Sequence, residues 1–245
     1  MESVILRISH KKKLSMTDEE LGQYYSNMRQ HYLSLPFDVK STEKAEKHYR
    51  FFSRIFNLIA IIKRTKMLKE EFLPNEEGLI FVSNHIGSYD QFYIDRLIRK
   101  YNYSPHYLVK EKVMKFFLRW NLIYKHVGVV VVNQESIKSW QSAEKKLIKY
   151  LLHKKSVFIF PEATRRGENN IGEFKTGVAK IAQKTGSKIV TMAIKNTKKF
   201  FIGKPIICLG DIIEVGERED IIKATDRIKN AVLNAYSNII DYEKR

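Results

Sequence analysis

The chain of 245 residues holds one cysteine, Cys208, which excludes a disulfide framework and suits the cytoplasm. Long hydrophobic runs are also missing. The most apolar stretch, 51–62, is 12 residues long and is broken by Arg54 and Asn57, whereas a membrane-spanning helix needs about 20. Met1 to Arg7 does not join a basic start to a long apolar core, so no signal peptide is expected. There is no internal repeat and no low-complexity segment. Zinc-finger spacing, a phosphate-cradling glycine loop and the aromatic signature of RNA-binding modules are absent, as are the usual metal-ligand spacings. No metal and no nucleic-acid partner are therefore expected.

Positive charge is what the chain has in excess. Lys and Arg number 44 against 27 Asp and Glu, a formal net charge of +17. Such a balance calls for an anionic partner, nucleic acid or membrane, and without a nucleic-acid signature the anionic membrane surface is the better match. Residues 51–62 run straight into Lys63, Arg64, Lys66 and Lys69. Two structures fit that pattern: an interfacial helix with a basic end, or a helix buried against the domain. The first places the protein peripherally on the cytoplasmic face of a membrane.

Hydrophobic residues make up 44% of the chain, enough for a sizeable core. Residues 1–50 are polar and helical in character, with Thr17-Asp18-Glu19-Glu20 as a capping box, and 51–70 read as one apolar-then-basic helix. The turn Pro74-Asn75-Glu76-Glu77-Gly78 opens a second part. The chain thus divides into an N-terminal helical, membrane-surface segment, 1–70, and a catalytic domain, 71–245. Strands are expected near 79–82, 106–109, 129–132, 157–160, 189–194 and 205–209. Helices are expected at 89–101, 111–125, 137–153, 174–185 and 218–240. Within 137–153, Ile137, Trp140, Leu147, Ile148, Leu151 and Leu152 form an apolar stripe expected to face the core. Alternating strands and helices predict an α/β fold, a mostly parallel central sheet flanked by helices.

Two patches carry the chemistry, Asn84-His85-Ile86-Gly87-Ser88-Tyr89-Asp90 and Phe160-Pro161-Glu162-Ala163-Thr164-Arg165. Each follows a strand-like segment, which puts both at strand ends, where open α/β sheets keep their sites. Five residues is about a turn and a half of helix, so His85 and Asp90 cannot share a helix face. They meet only if His85 lies in the loop before a helix and Asp90 in its first turn, where the helix dipole favours the anion. An aspartate there can accept one imidazole N–H and leave the other nitrogen as a base. The blander alternative is a histidine that packs a turn. No nucleophile accompanies the pair: Ser88 is too close in sequence, and Cys208 reads as a buried apolar residue. A base acting directly on a substrate hydroxyl follows. In the second patch Arg165 can grip a phosphate in bidentate fashion, and Glu162 can accept from substrate hydroxyls. A solvated loop with Arg165 paired to Glu162 is the alternative.

Asn-His-x-x-x-x-Asp followed, 77 residues after the histidine, by Phe-Pro-Glu-x-Thr-Arg resembles the glycerolipid acyltransferases, typified by 1-acylglycerol-3-phosphate acyltransferase. The similarity runs from about Glu76 to Leu209. It implies His85 as catalytic base and Asp90 as its partner, with Lys110, Glu162, Thr164 and Arg165 binding the acceptor. The implied reaction moves a fatty acyl group from acyl-coenzyme A or acyl carrier protein to a lysophospholipid hydroxyl. The thioester is a co-substrate and no cofactor is implied. Two motifs depart from the family pattern. Gln134 stands where a second motif usually carries arginine, and Ala163 and Arg166 stand where the third usually carries glycine and serine. Hence a related O- or N-acyltransferase with another, non-phosphorylated acceptor, or a non-catalytic basic membrane-binding protein, are the alternatives.

Overall fold

The computed structural model describes residues 8–62, 64–70, 73–116, 128–168, 170–197 and 204–245. Its strands are β1 (Lys66–Leu68), β2 (Ile80–Ser83), β3 (His106–Lys110), β4 (Val130–Val132), β5 (Val157–Ile159), β6 (Ile189–Lys195) and β7 (Ile206–Ile213). The helices are α1 (His10–Ser15), α2 (Asp18–Ser34), α3 (Val39–Ile62), α4 (Asp90–Lys100), α5 (Glu111–Phe116), α6 (Ile137–Leu152), α7 (Gly177–Thr185) and α8 (Ile221–Glu243). Among the described residues the strands form one sheet in the order β1-β7-β6-β2-β5-β3-β4. Every pairing is parallel except β6 with β7.

All four residues of β2 are buried, as befits a central parallel strand covered on both faces. Its side chains alternate between two cores. Ile80 and Val82 join residues of α2, α6, α7 and α8. Leu79, just ahead of the strand, and Phe81 join Tyr49 and Ala60 of α3 and Tyr93, Ile94, Leu97 and Ile98 of α4. The result is three layers, helices over each face of the sheet. From β2 the chain crosses by α4 to β3 on one side, while β5 connects by α7 to β6 on the other. The ends of β2 and β5 therefore lie side by side at the point where the winding reverses, the usual location of an α/β site.

The N-terminal helices belong to this packing. Leu21, Tyr25, Met28 and Tyr32, spaced four, three and four apart, turn the buried face of α2 into the core. The capping box holds as read: Glu20 N–H donates to Thr17 Oγ1 (3.2 Å) and Thr17 N–H to Glu20 Oε2 (2.7 Å). The expected helix over 51–70 differs. One helix, α3, spans both sides of residue 50 and ends at Ile62, and Lys66–Leu68 is a strand parallel to β7. Arg96 Nη1 closes α3 by donating to the carbonyls of Ala60 (3.2 Å) and Thr65 (3.0 Å). Thr42, Tyr49, Ser53 and Ala60 make the inward face of α3, while Phe51, Leu58, Ile61 and Ile62 stand exposed. Ser53 thus faces in. In α6 the stripe holds for Leu147, Ile148 and Leu151, but Ile137 at the first position is 77% exposed. Cys208 is buried, as expected. The expected helix 111–125 is seen as α5, and its remainder from 117 lies outside the described residues.

Candidate active site

His85 and Asp90 meet as the five-residue spacing requires. Asp90 is the first residue of α4, and His85 sits in the loop between β2 and that helix. His85 Nδ1 lies 2.7 Å from Asp90 Oδ2. Asp90 is 1% exposed and surrounded by donors. Oδ2 also accepts from Ile86 N–H (2.7 Å), and Gly87 N–H is 3.0 Å from each oxygen. Thr197 Oγ1 donates to Oδ1 at 2.6 Å. Surrounded by donors, the carboxylate acts as acceptor and orients the imidazole with its proton on Nδ1. Nε2 is then the free basic nitrogen, in a ring that lines a cleft of about 980 Å³. Phe160 stacks on that ring at 4.0 Å and 16°, which restrains its tilt.

Glu162 links the two patches. It is 2% exposed; its Oε1 accepts from His85 N–H and its Oε2 from Gly172 N–H, both at 2.8 Å. Burial pushes its carboxyl above the ordinary range, and these two N–H groups oppose the shift. The chain reinforces the junction where Arg166 N–H donates to the His85 carbonyl (2.9 Å). Arg166 Nε is 4.0 Å from Glu162 Oε2. Asn84 anchors the other side: its Nδ2 donates to Ile194 O (3.0 Å), and its Oδ1 accepts from Ile194 N–H (2.8 Å) at the end of β6.

Lys110, at the end of β3, and Arg165 face the same cleft as His85. Partial burial, then the charges of Arg165 and Lys112, holds the Lys110 ammonium below its ordinary pKa. Two cations near enough to repel each other make a favourable seat for an anion. Thr164 lines the cleft beside them, and Trp140, Phe160, Phe174 and Val178 supply apolar wall. Gln134 donates from Nε2 to the carbonyl of Ala163 (2.8 Å). Ala163 itself has φ 55°, the left-handed region that a β-carbon disfavours. Ala163→Gly is therefore expected to stabilise the fold by ~0.5–1 kcal/mol, read as a higher urea midpoint; an unchanged or lower midpoint would show that the turn carries no strain.

The structure thus gathers His85, Asp90, Lys110, Glu162, Thr164 and Arg165 around one cleft, with Asp90 behind His85. Sequence reasoning gave no role to Asn84, Phe160 or Thr197. Asn84 and Phe160 lay within the quoted patches, next to their key residues. Thr197 had no local signal, being 107 residues from Asp90. Among the described residues no group of three or more His, Cys, Asp or Glu is placed to hold a metal ion.

An open α/β sheet that sets a paired histidine and aspartate at a partly apolar cleft edged by cations has the layout of an enzyme. The Acyltransferase family model matches residues 64–195, just over half of the chain. The chain belongs to that family and is an acyltransferase of the glycerolipid type. It is 30% identical over 181 residues to the 1-acyl-sn-glycerol-3-phosphate acyltransferase of Borreliella burgdorferi, covering 65% of this chain and 70% of the relative. A chloroplastic 1-acyl-sn-glycerol-3-phosphate acyltransferase of Brassica napus is 26% identical over 168 residues, covering 67% and 47% of the two chains. The fold matches the crystal structure of the 1-acyl-sn-glycerophosphate acyltransferase PlsC from Thermotoga maritima with a TM-score of 0.55 at 18% identity, covering 91% of this chain and 85% of that one.

Proposed function

We propose that the chain transfers a fatty acyl group from acyl-coenzyme A or acyl carrier protein to the hydroxyl of a lysophospholipid, 1-acylglycerol-3-phosphate first among them, giving phosphatidate. One observation carries this reading: His85 and the cations Lys110 and Arg165, which no ion pair among the described residues neutralises, open into a single cleft. The pair would hold the acceptor phosphate, with Thr164 beside it, and the apolar wall would receive acyl chain. His85 Nε2 takes the hydroxyl proton as the oxygen attacks the thioester carbonyl. The carbon–sulfur bond breaks, and the proton goes on to the departing thiolate. Thioesters have a good leaving group, so alignment and proton removal are the main tasks. Glu162, engaged by two main-chain N–H groups, serves this scheme by joining the His85 loop to the Arg165 loop.

The names of the relatives support a phosphorylated acceptor. Gln134 favours the second reading, a non-phosphorylated acceptor, because an amide tied to the Ala163 carbonyl supplies no charge in place of the usual arginine. Assays of thiol release against phosphorylated and non-phosphorylated acceptors separate the two. Arg165→Ala is expected to raise the half-saturation concentration of 1-acylglycerol-3-phosphate by about 10–100-fold, the worth of a charged hydrogen-bonded contact, with thioester affinity unchanged. A change confined to the thioester would move Arg165 out of the acceptor site.

The exposed Phe51, Leu58, Ile61 and Ile62 of α3, beside exposed Lys47, Arg50, Arg54 and Arg64, support docking on an anionic membrane surface. No helix among the described residues is long and apolar enough to cross a membrane. In this reading residues 1–70 carry the membrane contact while sharing the core, 71–245 carry the chemistry, and the protein acts peripherally at the cytoplasmic face.

A further inference from the structure

The two oxygens of Asp90 are held unequally. Oδ2 receives the imidazole and two main-chain N–H groups. Oδ1 has only a share of Gly87 N–H, at 3.0 Å, and the Thr197 hydroxyl at 2.6 Å. Thr197 is fully buried, and it reaches Asp90 because the chain turns sharply after β6. That turn is built at Asn196, which has φ 61°. Asn196 N–H donates to Glu168 Oε2 (3.2 Å) and its Nδ2 to Glu243 Oε1 (2.8 Å). The same strand end grips Asn84 through Ile194. A buried threonine placed so deliberately against a carboxylate has a purpose beyond filling space, since valine has the same shape and needs no partner.

We propose that Thr197 is a positioning residue for acyl transfer: its hydroxyl fixes the plane of the Asp90 carboxylate and so sets the orientation and basicity of His85. The proposal rests on His85 being the base, as argued above. With Oδ1 held, the carboxylate cannot rotate about its bond to the β-carbon, and Oδ2 stays in line with Nδ1. The hydroxyl also shares the negative charge of Asp90, which weakens the pull of that charge on the imidazolium. Remove the hydroxyl and the anion leans more on His85, so the protonated imidazole gains and its pKa rises. Lys110 and Arg165 line the same cleft as His85. Tyr89 caps α4 and Tyr93 lies on it; burial first, then Tyr89 and Asp90, keeps the Tyr93 phenol above its ordinary range and hence neutral at working pH. From the loop after β5 come Glu162 and Arg166. Their contributions are the same with or without the Thr197 hydroxyl.

The test compares wild type, Thr197→Val and Thr197→Ser. Valine is expected to lower kcat about 10–30-fold, leave the acceptor KM within about twofold and move the acidic limb of kcat/KM to higher pH by about 0.5–1. Serine, which keeps the hydroxyl, is expected to restore the wild-type rate and limb. The imidazole pKa of His85, followed by NMR on labelled histidine with His85→Gln to assign the signal, is expected to rise in Thr197→Val in the absence of any substrate. That measurement stands even if the wild type fails to transfer an acyl group, a failure that would instead overturn the proposed function. An unmoved His85 pKa in a folded Thr197→Val protein overturns the role of Thr197. So does a slow valine variant whose pH limb stays in place and which serine fails to rescue, the mark of packing alone.

Discussion

His85→Ala is expected to lower turnover by about 10²–10⁴ with the fold intact. The bonds that shape this loop use the main chain of residue 85, its N–H donating to Glu162 Oε1 and its carbonyl accepting from Arg166 N–H. Alanine keeps both. Asp90 keeps Ile86 N–H, Gly87 N–H and the Thr197 hydroxyl, so its buried charge stays well satisfied. What is lost is a ring stacked on Phe160 and its basic nitrogen at the cleft. The unfolding midpoint is therefore expected near that of the wild type, while initial-rate assays show the collapse. A variant that turns over at the wild-type rate would remove the base from the account.

Asp90→Asn is expected to be comparably slow, about 10²–10⁴ below wild type, but for a different reason and with a second symptom. The carboxylate accepts from four groups, and an amide has only one oxygen to offer. Wherever its NH₂ points, it meets a donor. The His85 tautomer is no longer fixed, and a buried donor is left facing donors, at a cost of ~1–3 kcal/mol in stability. A urea titration should thus separate this variant from His85→Ala: both slow, only Asp90→Asn less stable. Wild-type turnover in Asp90→Asn would mean that imidazole orientation needs no anion.

The α/β alternation was legible because its strands are short apolar runs between helical patterns, and β2, β5 and β6 lie within a residue or two of their expected places. The loop-and-first-turn geometry of His85 and Asp90 followed from spacing alone. Less could be read where pairing is remote. Strand β1 is three residues long, begins with Lys66, and exists because β7, some 140 residues later, lies beside it. Residues 63–69 therefore looked like the basic end of a helix. The antiparallel turn of β7 left no mark either, since Ile206 and Ile207 look the same in either direction. Glu162 is the clearest limit at the site. A carboxylate before Thr-Arg reads as a substrate acceptor, and nothing local says that two N–H groups, one from the loop after β2 and one from Gly172 further along its own loop, already occupy it. Thr197 shows the same limit from the other side, a partner of Asp90 supplied by the far end of the sheet.

The departures at Gln134 and Ala163 turn out to be linked. The amide of Gln134 bonds the carbonyl of Ala163, the residue in the left-handed turn. A neutral side chain braces the loop at the place where the family pattern described above carries a charge. That leaves Lys110 and Arg165 as the pair on which phosphate recognition in this chain is proposed to rest.

The most direct test of the account is the first turnover of an acyl thioester, followed by thiol release with and without acceptor. Direct transfer from a base-activated hydroxyl predicts no burst until lysophospholipid is added, then one ester formed for each thiol released. A burst of about one thiol per enzyme before any acceptor is present, with the acyl group on the protein, would contradict it.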